Sequence, residues 1–251
     1  MGQIRNIAAG ILLLAVGCTR QAPEEFGTIS VSLSGAPRVK SYELLTPQQA
    51  ASFNVAVYDT DGAIQGSVRK YANFTAAKVA LGKTYYVTAE SCTAKEAETG
   101  LGCLRLEGRS ENVSLTKAAP DAVLDVYCSV ANASFEYVLG QDVQEYLKDI
   151  SVSVVTSDNP SRNVVLDIPE QTVWVNVGAA SVLSYEISAT SMITGTPMTL
   201  RKELNLSAGD HITVTVKVES DKGRLGSPEI TVDSHLTEKE SAWNFDIYDF
   251  E

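Results

Sequence analysis

Alternation of apolar and polar residues with a period of two recurs from residue 27 to the end of the chain. In the first run, Ile29, Val31 and Leu33 alternate with serine residues. Neighbouring side chains of a β-strand point to opposite faces of the sheet, so this pattern indicates strands that bury one face. Turn residues separate the runs at intervals of about 8–14 residues, a spacing typical of β-sandwiches. The sequence therefore predicts an all-β fold.

One segment departs from the period of two. Between Gly140 and Ile150, the apolar residues Val143, Tyr146 and Leu147 recur at intervals of one, three or four residues. Such spacing places side chains on one face of a helix. We therefore expect one short helix within the β-rich chain.

About seven predicted strands fall on each side of residue 132. We therefore expect two antiparallel β-sandwich domains of the immunoglobulin-like type, at residues 27–131 and 132–251. No Pro- or Ser-rich spacer separates them, so they are expected to pack together. The long run from Val123 to Tyr137 is predicted to pass from the first domain into the second. The final run, from Trp243, is predicted to close the second sheet, with exchange between subunits as the alternative.

The start of the chain has the three parts of a secretory signal: basic Arg5, an apolar stretch from Ile7 to Val16, and small residues before Cys18. The apolar stretch is too short to span a bilayer, which needs about 20 residues. A cysteine directly after a small residue resembles the bacterial lipobox, although Ala15 stands where leucine is usual. We predict a signal peptide at residues 1–17 and lipidation of Cys18. The alternative is an ordinary signal peptide followed by a chance cysteine.

Residues 18–26 are predicted to form a lipidated tether, because two or more acyl chains bind a membrane stably. Glu24 and Glu25 resemble the acidic export signal of Bacteroidota lipoproteins, which predicts an outer-membrane lipoprotein exposed at the cell surface. The net charge is −11, and loss of Arg5 with the signal peptide brings it to about −12. Because acidic proteins repel phosphate, a nucleic acid partner is not expected.

Three cysteines remain after lipidation of Cys18, and they allow at most one internal disulfide. Cys92 and Cys103 flank a polar stretch that is predicted to join two strands. A bridge there would stabilise the fold by up to about 3 kcal/mol in the chain-entropy model. Cys128 lies on the apolar face of the run Val123–Val130 and is predicted to be buried. A Cys92–Cys128 bridge, or three reduced thiols, are the alternatives.

The residue types that usually carry catalysis are sparse. His211 follows Asp210, but neighbours on a strand point to opposite faces, so the pair is not a catalytic dyad. His235 lies in a predicted polar loop. Asp59–Gly62 resembles the start of a calcium loop, but Lys70 stands where that loop needs an acidic ligand, so a hairpin turn is the better interpretation. We predict no catalytic site, no metal site and no cofactor.

Aromatic residues are the remaining candidates for ligand contacts. Trp174 and Trp243 fit alternating strands and are predicted to lie in the core. Exposed aromatic rings are the usual platforms for glycans. The tyrosines that are candidates for a surface patch are Tyr85, Tyr86, Tyr137 and Tyr146.

Three segments occur in a recognisable order: Phe53–Asp59 followed by Gly62, Leu81–Ala89 with its Leu-Gly-Lys-Thr-Tyr entry, and Val126–Asn132 with a cysteine before an Ala-Asn step. Together they resemble a family of Bacteroidota lipoproteins that carry an uncharacterised domain and are grouped with fimbrillin-like proteins. The resemblance covers roughly residues 27–155. It implies two stacked fimbrillin-like sandwiches, and a role as a pilus subunit, anchor, tip protein or adhesin.

The resemblance also implies a way to assemble, because fimbrillins polymerise when a protease removes the first strand and another subunit fills the gap. Removal of a strand exposes an apolar groove and an unpaired edge. Arg38, in the loop after the predicted strand Gly27–Ser34, is the candidate cleavage site. The alternative is that Arg38 is only a solvated loop residue.

These observations predict a cell-surface lipoprotein that is not an enzyme and that acts in adhesion or as a fimbria-associated structural subunit. A glycan- or ligand-binding surface lipoprotein beside an outer-membrane transporter is the alternative. The expected partners are the membrane, through the lipid, and other fimbrial subunits or host and glycan ligands.

Overall fold

The computed structural model describes residues 25–35, 47–219, 224–225, 229–233 and 243–245. Strands dominate this part of the chain, so the prediction of an all-β fold is confirmed. The first eight strands are β1 Phe26–Gly35, β2 Asn54–Asp59, β3 Arg69–Lys70, β4 Ala77–Ala80, β5 Thr84–Glu90, β6 Leu106–Arg109, β7 Val113–Ser114 and β8 Asp121–Val130. The next are β9 Asn132–Leu139, β10 Leu147–Thr156, β11 Val164–Leu166, β12 Val173–Asn176, β13 Ser181–Ser191, β14 Pro197–Leu206, β15 His211–Val216, β16 Val218–Glu219, β17 Arg224–Leu225, β18 Glu229–Asp233 and β19 Trp243–Phe245.

The first region of the molecule is one nine-stranded sheet in the order β19-β1-β8-β6-β5-β2-β3, with β4 paired to β1 and β7 paired to β5. Its strands alternate between buried and exposed side chains, as the period of two predicts. The buried faces meet in the N-terminal core, a cluster of apolar residues between Ile29 and Val130 that also includes Trp174. Burial of each large aliphatic side chain in this core contributes about 1.5–3 kcal/mol.

The second region has two four-stranded sheets, β11-β10-β13-β14 and β12-β9-β15-β18. Their inner faces form the C-terminal core, a cluster of apolar residues between Ala133 and Val216. Phe135 on β9 and Tyr185 on β13 meet across it with their ring centroids 5.6 Å apart. The second region is therefore a sandwich of two sheets.

The two cores divide near residue 131, where the sequence predicts the boundary between domains 27–131 and 132–251. The run from Val123 to Tyr137 covers the end of β8 and the start of β9, so it passes from the first sheet into the second region as expected. Separate folding of the two regions stays a prediction.

The expectation of purely antiparallel sheets is wrong at two places. Strand β1 pairs in parallel with β8 over Thr28–Gly35, and β9 pairs in parallel with β15 over Ser134–Leu139. Both pairs join segments far apart in sequence, as parallel pairs must, because a short hairpin can connect only antiparallel neighbours. Hydrophobic alternation identifies a strand and its buried face but not the direction of its partner.

The expectation that the C-terminal strand closes the second sheet is also wrong. Strand β19 pairs antiparallel with β1 in the first sheet, with Leu33 opposite Phe245 and Gly35 opposite Trp243. The edge beside β15 is taken by β18 instead. The chain thus returns to the first region after building the second, a long-range step that leaves no local mark in the sequence.

The described residues form two short α-helices, α1 Pro47–Ala51 and α2 Val143–Tyr146, where the sequence predicts one. Helix α2 is shorter than the predicted segment because strand β10 begins at Leu147. Between Lys148 and Ser151 the pairing of β10 with β13 shifts register, which marks a β-bulge. The one extra residue of this bulge interrupts the period of two, which gives the apolar side chains a helix-like spacing.

A loop from the first region, residues 92–105, holds the second region, and we call it the clamp loop. Its Leu101 carbonyl accepts a hydrogen bond of 2.7 Å from the Trp174 amide of β12. Its Glu98 carboxylate accepts 2.9 Å and 2.8 Å bonds from the Asn176 amide and the Asn159 side chain. These bonds, with the Trp174 side chain in the N-terminal core, join the two regions.

Candidate functional site

The first candidate site is the groove that strand β1 fills. Ile29, Val31 and Leu33 are at most 2% exposed and point into the N-terminal core. On one side the strand forms an eight-residue ladder with β8, and on the other its partners among the described residues are the short strands β4 and β19. Without β1, the core would lose three side chains and β8 would have a free edge. Arg38, the predicted cleavage site, lies outside the described residues, three positions after the end of β1.

The second candidate site lies on the outer face of the first sheet, across β2, β5, β6 and β8. We call it the tyrosine groove and define it by Tyr58, Glu90, Glu107, Arg109 and Tyr127. It is an open depression with a volume of about 530 Å³. These side chains come from four strands, and only the order of strands in the sheet brings them together.

One wall of the tyrosine groove is a stack of three flat groups. The rings of Tyr58 and Tyr86 lie with centroids 5.4 Å apart and planes within 15°. The Arg109 guanidinium lies 3.9 Å from the centroid of the Tyr86 ring, in a cation–π contact. Tyr127, 52% exposed, lines the groove from β8.

The polar edge of the tyrosine groove is held by an arginine. The Arg105 guanidinium donates to the carboxylates of Glu90, at 3.3 Å, and of Glu107. It also donates to the Cys92 carbonyl at 3.3 Å, which ties the edge to the clamp loop. The Arg105 side chain is only 16% exposed, whereas those of Glu90 and Glu107 are 32% and 51% exposed, so a largely buried guanidinium holds two carboxylates that solvent still reaches.

The predicted tyrosine patch is wrong in its membership. Tyr85 and Tyr137 are buried in the two cores, and burial raises the pKa of each phenol above its ordinary value. Of the four predicted tyrosines, Tyr86 alone belongs to the aromatic wall of the groove. Sequence reasoning missed Tyr58 and Tyr127, although each stands at an outward position of its alternating strand, which was the available signal.

The cysteines Cys92 and Cys103 lie close together, with 3.4 Å between their sulfur atoms. The two sulfur atoms are not bonded in this structure, so the disulfide stays a prediction, which their proximity supports. Burial and the neighbouring Cys103 thiol raise the pKa of Cys92 to about 11. Cys128 is fully buried, as predicted. Cys18, the predicted lipidation site, lies outside the described residues.

His211 belongs to a polar network that the sequence did not predict. Its Nδ1 lies 2.7 Å from the Ser134 hydroxyl and its Nε2 lies 3.3 Å from the Glu136 carboxylate. Parallel pairing of β9 with β15 creates this neighbourhood. Ser134 is only 1% exposed, so its hydroxyl is not presented to a substrate, and the network fits a structural role. Asp210 turns away and accepts from the Ser207 amide at 2.8 Å.

The turn at Asp59–Gly62 is a structural hairpin turn, as predicted. The Asp59 carboxylate is buried and accepts a 2.8 Å bond from the Ala63 amide and a 3.2 Å bond from Gln65. Gly62 has a φ of +83°, a conformation that favours glycine. No cluster of three or more metal-ligating side chains occurs in the part of the chain that the structure describes.

The predicted placement of the tryptophans is confirmed for Trp174, which is 2% exposed. Only the backbone of Trp243 is described, in β19. His235 lies outside the described residues. Within the described ranges, the helices are too short or too polar to cross a bilayer.

The fold and these surfaces define an all-β protein with two cores, a terminal strand that fills a core groove, and an open tyrosine-lined depression on one sheet. The chain belongs to the family described as a domain of unknown function (DUF4493), which matches residues 25–246. The resemblance to a family with an uncharacterised domain is thereby confirmed. No curated protein sequence matches the chain significantly.

Several solved structures are similar over most of their length. A candidate cell adhesion protein from Bacteroides eggerthii is 12% identical, with a TM-score of 0.47, over 84% of this chain and 95% of that one. The fimbrial anchor protein Mfa2 from Porphyromonas gingivalis is 12% identical, with a TM-score of 0.39, over 82% and 98%. A fimbrial assembly protein from Parabacteroides distasonis is 14% identical, with a TM-score of 0.40, over 83% and 100%. TM-scores below 0.5 do not establish a shared fold.

Proposed function

We propose that the protein is a lipid-anchored cell-surface protein that acts in adhesion as a fimbria-associated structural subunit. The observation that carries the proposal is the place of β1 in the first sheet. This strand supplies three buried side chains to the N-terminal core and stands next to the predicted tether. Its loss would leave a ready-made groove for a strand of another subunit, the form of recognition called β-strand addition.

The proposed anchor fits the position of β1. Phe26, where β1 begins, lies eight positions after Cys18, and this length of chain reaches at most about 30 Å. A lipid on Cys18 would therefore hold the first sheet close to the membrane. A cut after Arg38 would separate the lipid and β1 from the rest of the covalent chain, so anchoring and strand release would be coupled.

Proteolysis tests the assembly part of the proposal. Treatment of the purified mature protein with an arginine-specific protease is expected to cut after Arg38 and to give a ladder of SDS-stable oligomers. The variant Arg38→Gln is expected to stay monomeric under the same treatment, whereas the matched variant Arg69→Gln, in strand β3, should behave as the wild type. Cleaved wild-type protein that remains monomeric would contradict the structural-subunit role.

Membrane fractionation tests the anchor separately. The variant Cys18→Ala is expected to fold with the same circular dichroism spectrum and to leave the membrane fraction, because no acyl chain can attach. Cys18→Ala protein that still sediments with membranes would contradict lipid anchoring at this residue.

A further inference from the structure

We propose that the tyrosine groove binds a segment of a neutral, hydroxyl-rich glycan. The inference deepens the proposed role in adhesion by naming a ligand class, and it rests on the proposed cell-surface location but not on polymerisation. The groove is an open depression of about 530 Å³. This volume falls in the range of about 300–1,000 Å³ that is usual for small-ligand sites and fits a short stretch of sugar rings.

The aromatic wall is already arranged for stacking against sugar rings. Tyr58 is supported by Tyr86 on one side, and Tyr86 is supported by Arg109, so the stack loses little freedom when a ligand arrives. Tyr127 is more than half exposed on the outward face of β8. The apolar face of a sugar ring packs on such rings, while the phenol oxygens remain available to its hydroxyl groups.

The carboxylates at the other edge are placed to hold hydroxyl groups. Ionised Glu90 and Glu107 accept hydrogen bonds and do not donate, so they suit ligands rich in O–H donors. Arg105 holds both carboxylates from below, which fixes their orientation before a ligand binds. The hydroxyls of Thr88 and Ser129 also line the groove and can donate or accept.

The charge balance selects an uncharged ligand. The charges of Glu90 and Glu107 are offset by Arg109 in the groove and by Arg105, which pairs with both carboxylates, so these four groups carry no net charge that would attract an ion. The whole chain carries −11, which repels acidic polysaccharides. An extended peptide is disfavoured as well, because β-strand addition needs a free sheet edge and the groove crosses the face of interior strands.

A polysaccharide array tests the proposal with the full mature chain. The array carries four neutral polymers, β-glucan, mannan, galactan and xylan, and two acidic ones, heparin and polygalacturonate. We expect binding to a neutral polymer and none to the acidic pair. Titration calorimetry with an oligosaccharide of the bound polymer should then show that Tyr127→Ala lowers the affinity roughly tenfold or more. Tyr127→Phe, which keeps the ring, should retain most of it.

The matched control is Val123→Ala on the same outward face of β8, 69% exposed and outside the groove, which should leave the affinity unchanged. Failure to bind any neutral polymer, binding only to the acidic pair, or equal affinity of Tyr127→Ala and wild type would each overturn the proposal. If the wild type binds no glycan but binds another fimbrial subunit, and Tyr127→Ala loses that binding, the groove is a site for a protein partner. That result would also overturn the proposal. Formation of the oligomer ladder after protease treatment does not depend on the groove, so Tyr127→Ala should still form the ladder.

Discussion

Strands β1 and β9 take corresponding places in the two regions, yet the molecule holds them differently. Each begins its region, and each pairs in parallel with a later strand, β8 or β15. Strand β9 continues directly from β8 and lies between β12 and β15. Strand β1 follows the predicted tether, and in the described part of the chain its second edge is paired with the short strands β4 and β19. The same architectural position therefore holds a fixed strand in one region and, in the proposed function, a replaceable strand in the other.

The outward faces of the two strands show the same contrast. On β1, the outward serines Ser30 and Ser32 are half-buried. On β9, Asn132 and Ser134 are almost completely buried, because the clamp loop and His211 cover them. Removal of β9 would uncover two buried faces, whereas the outward face of β1 is only half-buried, so β1 is the better candidate for the proposed strand exchange.

The largest expected effect comes from breaking the fixed strand. Phe135→Ala removes a fully buried ring that packs on Tyr185, which should lower the free energy of unfolding of the second region by about 3–5 kcal/mol. The control Val138→Ala, half-buried near the end of β9, should cost much less. Denaturant unfolding followed by hydrogen exchange should show early unfolding confined to the C-terminal core. Equal loss of protection in the N-terminal core would contradict two separately folding regions.

Local sequence patterns predicted the strands and their buried faces well. The apolar face of β8, with Cys128 in it, is buried as the period of two requires. The polar stretch between Cys92 and Cys103 does join two antiparallel strands, β5 and β6, and brings the two sulfurs together. These features depend on neighbours within about a dozen residues, and such features are the ones a single sequence encodes directly.

The tyrosine groove and the parallel pairs could not be predicted in this way. Tyr58, Glu107 and Tyr127 meet only because β6 lies between β5 and β8, an order that no local pattern records. The contact of Ser134 with His211 spans 77 positions and follows from the parallel register of β9 and β15. The return of β19 to β1 is a contact of the same kind. Sheet order depends on which buried faces fit together, so these contacts required the structure.

The second largest effect is expected where β9 meets the clamp loop. Asn132 is fully buried; its side chain donates to the Cys103 carbonyl at 2.8 Å and accepts from the Arg105 amide at 3.0 Å. Asn132→Ala leaves both backbone groups without these partners and should destabilise the protein by about 2–4 kcal/mol. Thermal unfolding checks this, with Asn205→Ala at an exposed position of β14 as the matched control. Similar losses in both variants would mean that Asn132 does not hold the joint.

A smaller effect is expected from the predicted bridge that closes the clamp loop. If Cys92 and Cys103 form a disulfide in the exported protein, Cys92→Ser should lower stability by up to about 3 kcal/mol and loosen the contacts of the loop with β12. Thiol titration of the unfolded, unreduced mature protein should then find Cys128 as the single free thiol. Three free thiols in protein isolated from the cell envelope would contradict the bridge.

The smallest expected effect is a difference between the two regions in their stability at alkaline pH. Burial, aided by the charge of Glu107, raises the pKa of Cys128 in the N-terminal core from 9.0 to about 12. Between pH 9 and pH 12 the folded chain holds the Cys128 proton more tightly than the unfolded chain does. The contribution of Cys128 to stability is therefore fully present below pH 9 and is lost as the pH rises towards 12. At pH 10 the loss should be roughly 1.4 kcal/mol. In the C-terminal core the buried titratable groups Tyr137 and Tyr185 have pKa values raised above 10.0, so that region should weaken only at higher pH.

Denaturant unfolding at pH 7 and pH 10 measures this difference, and Cys128→Val is the matched variant because it keeps the strand apolar while removing the thiol. The decline of the N-terminal transition between the two pH values should be smaller in the variant by roughly 1.4 kcal/mol, because the contribution of Cys92, whose pKa is also raised, is common to both proteins. The raised pKa of Tyr85 in the same core acts on both proteins and cancels in the comparison. An equal decline in wild type and Cys128→Val would assign the alkaline sensitivity of the first region to other groups. Parallel decline of both transitions in the wild type would show that the clamp loop couples the two cores into one folding unit.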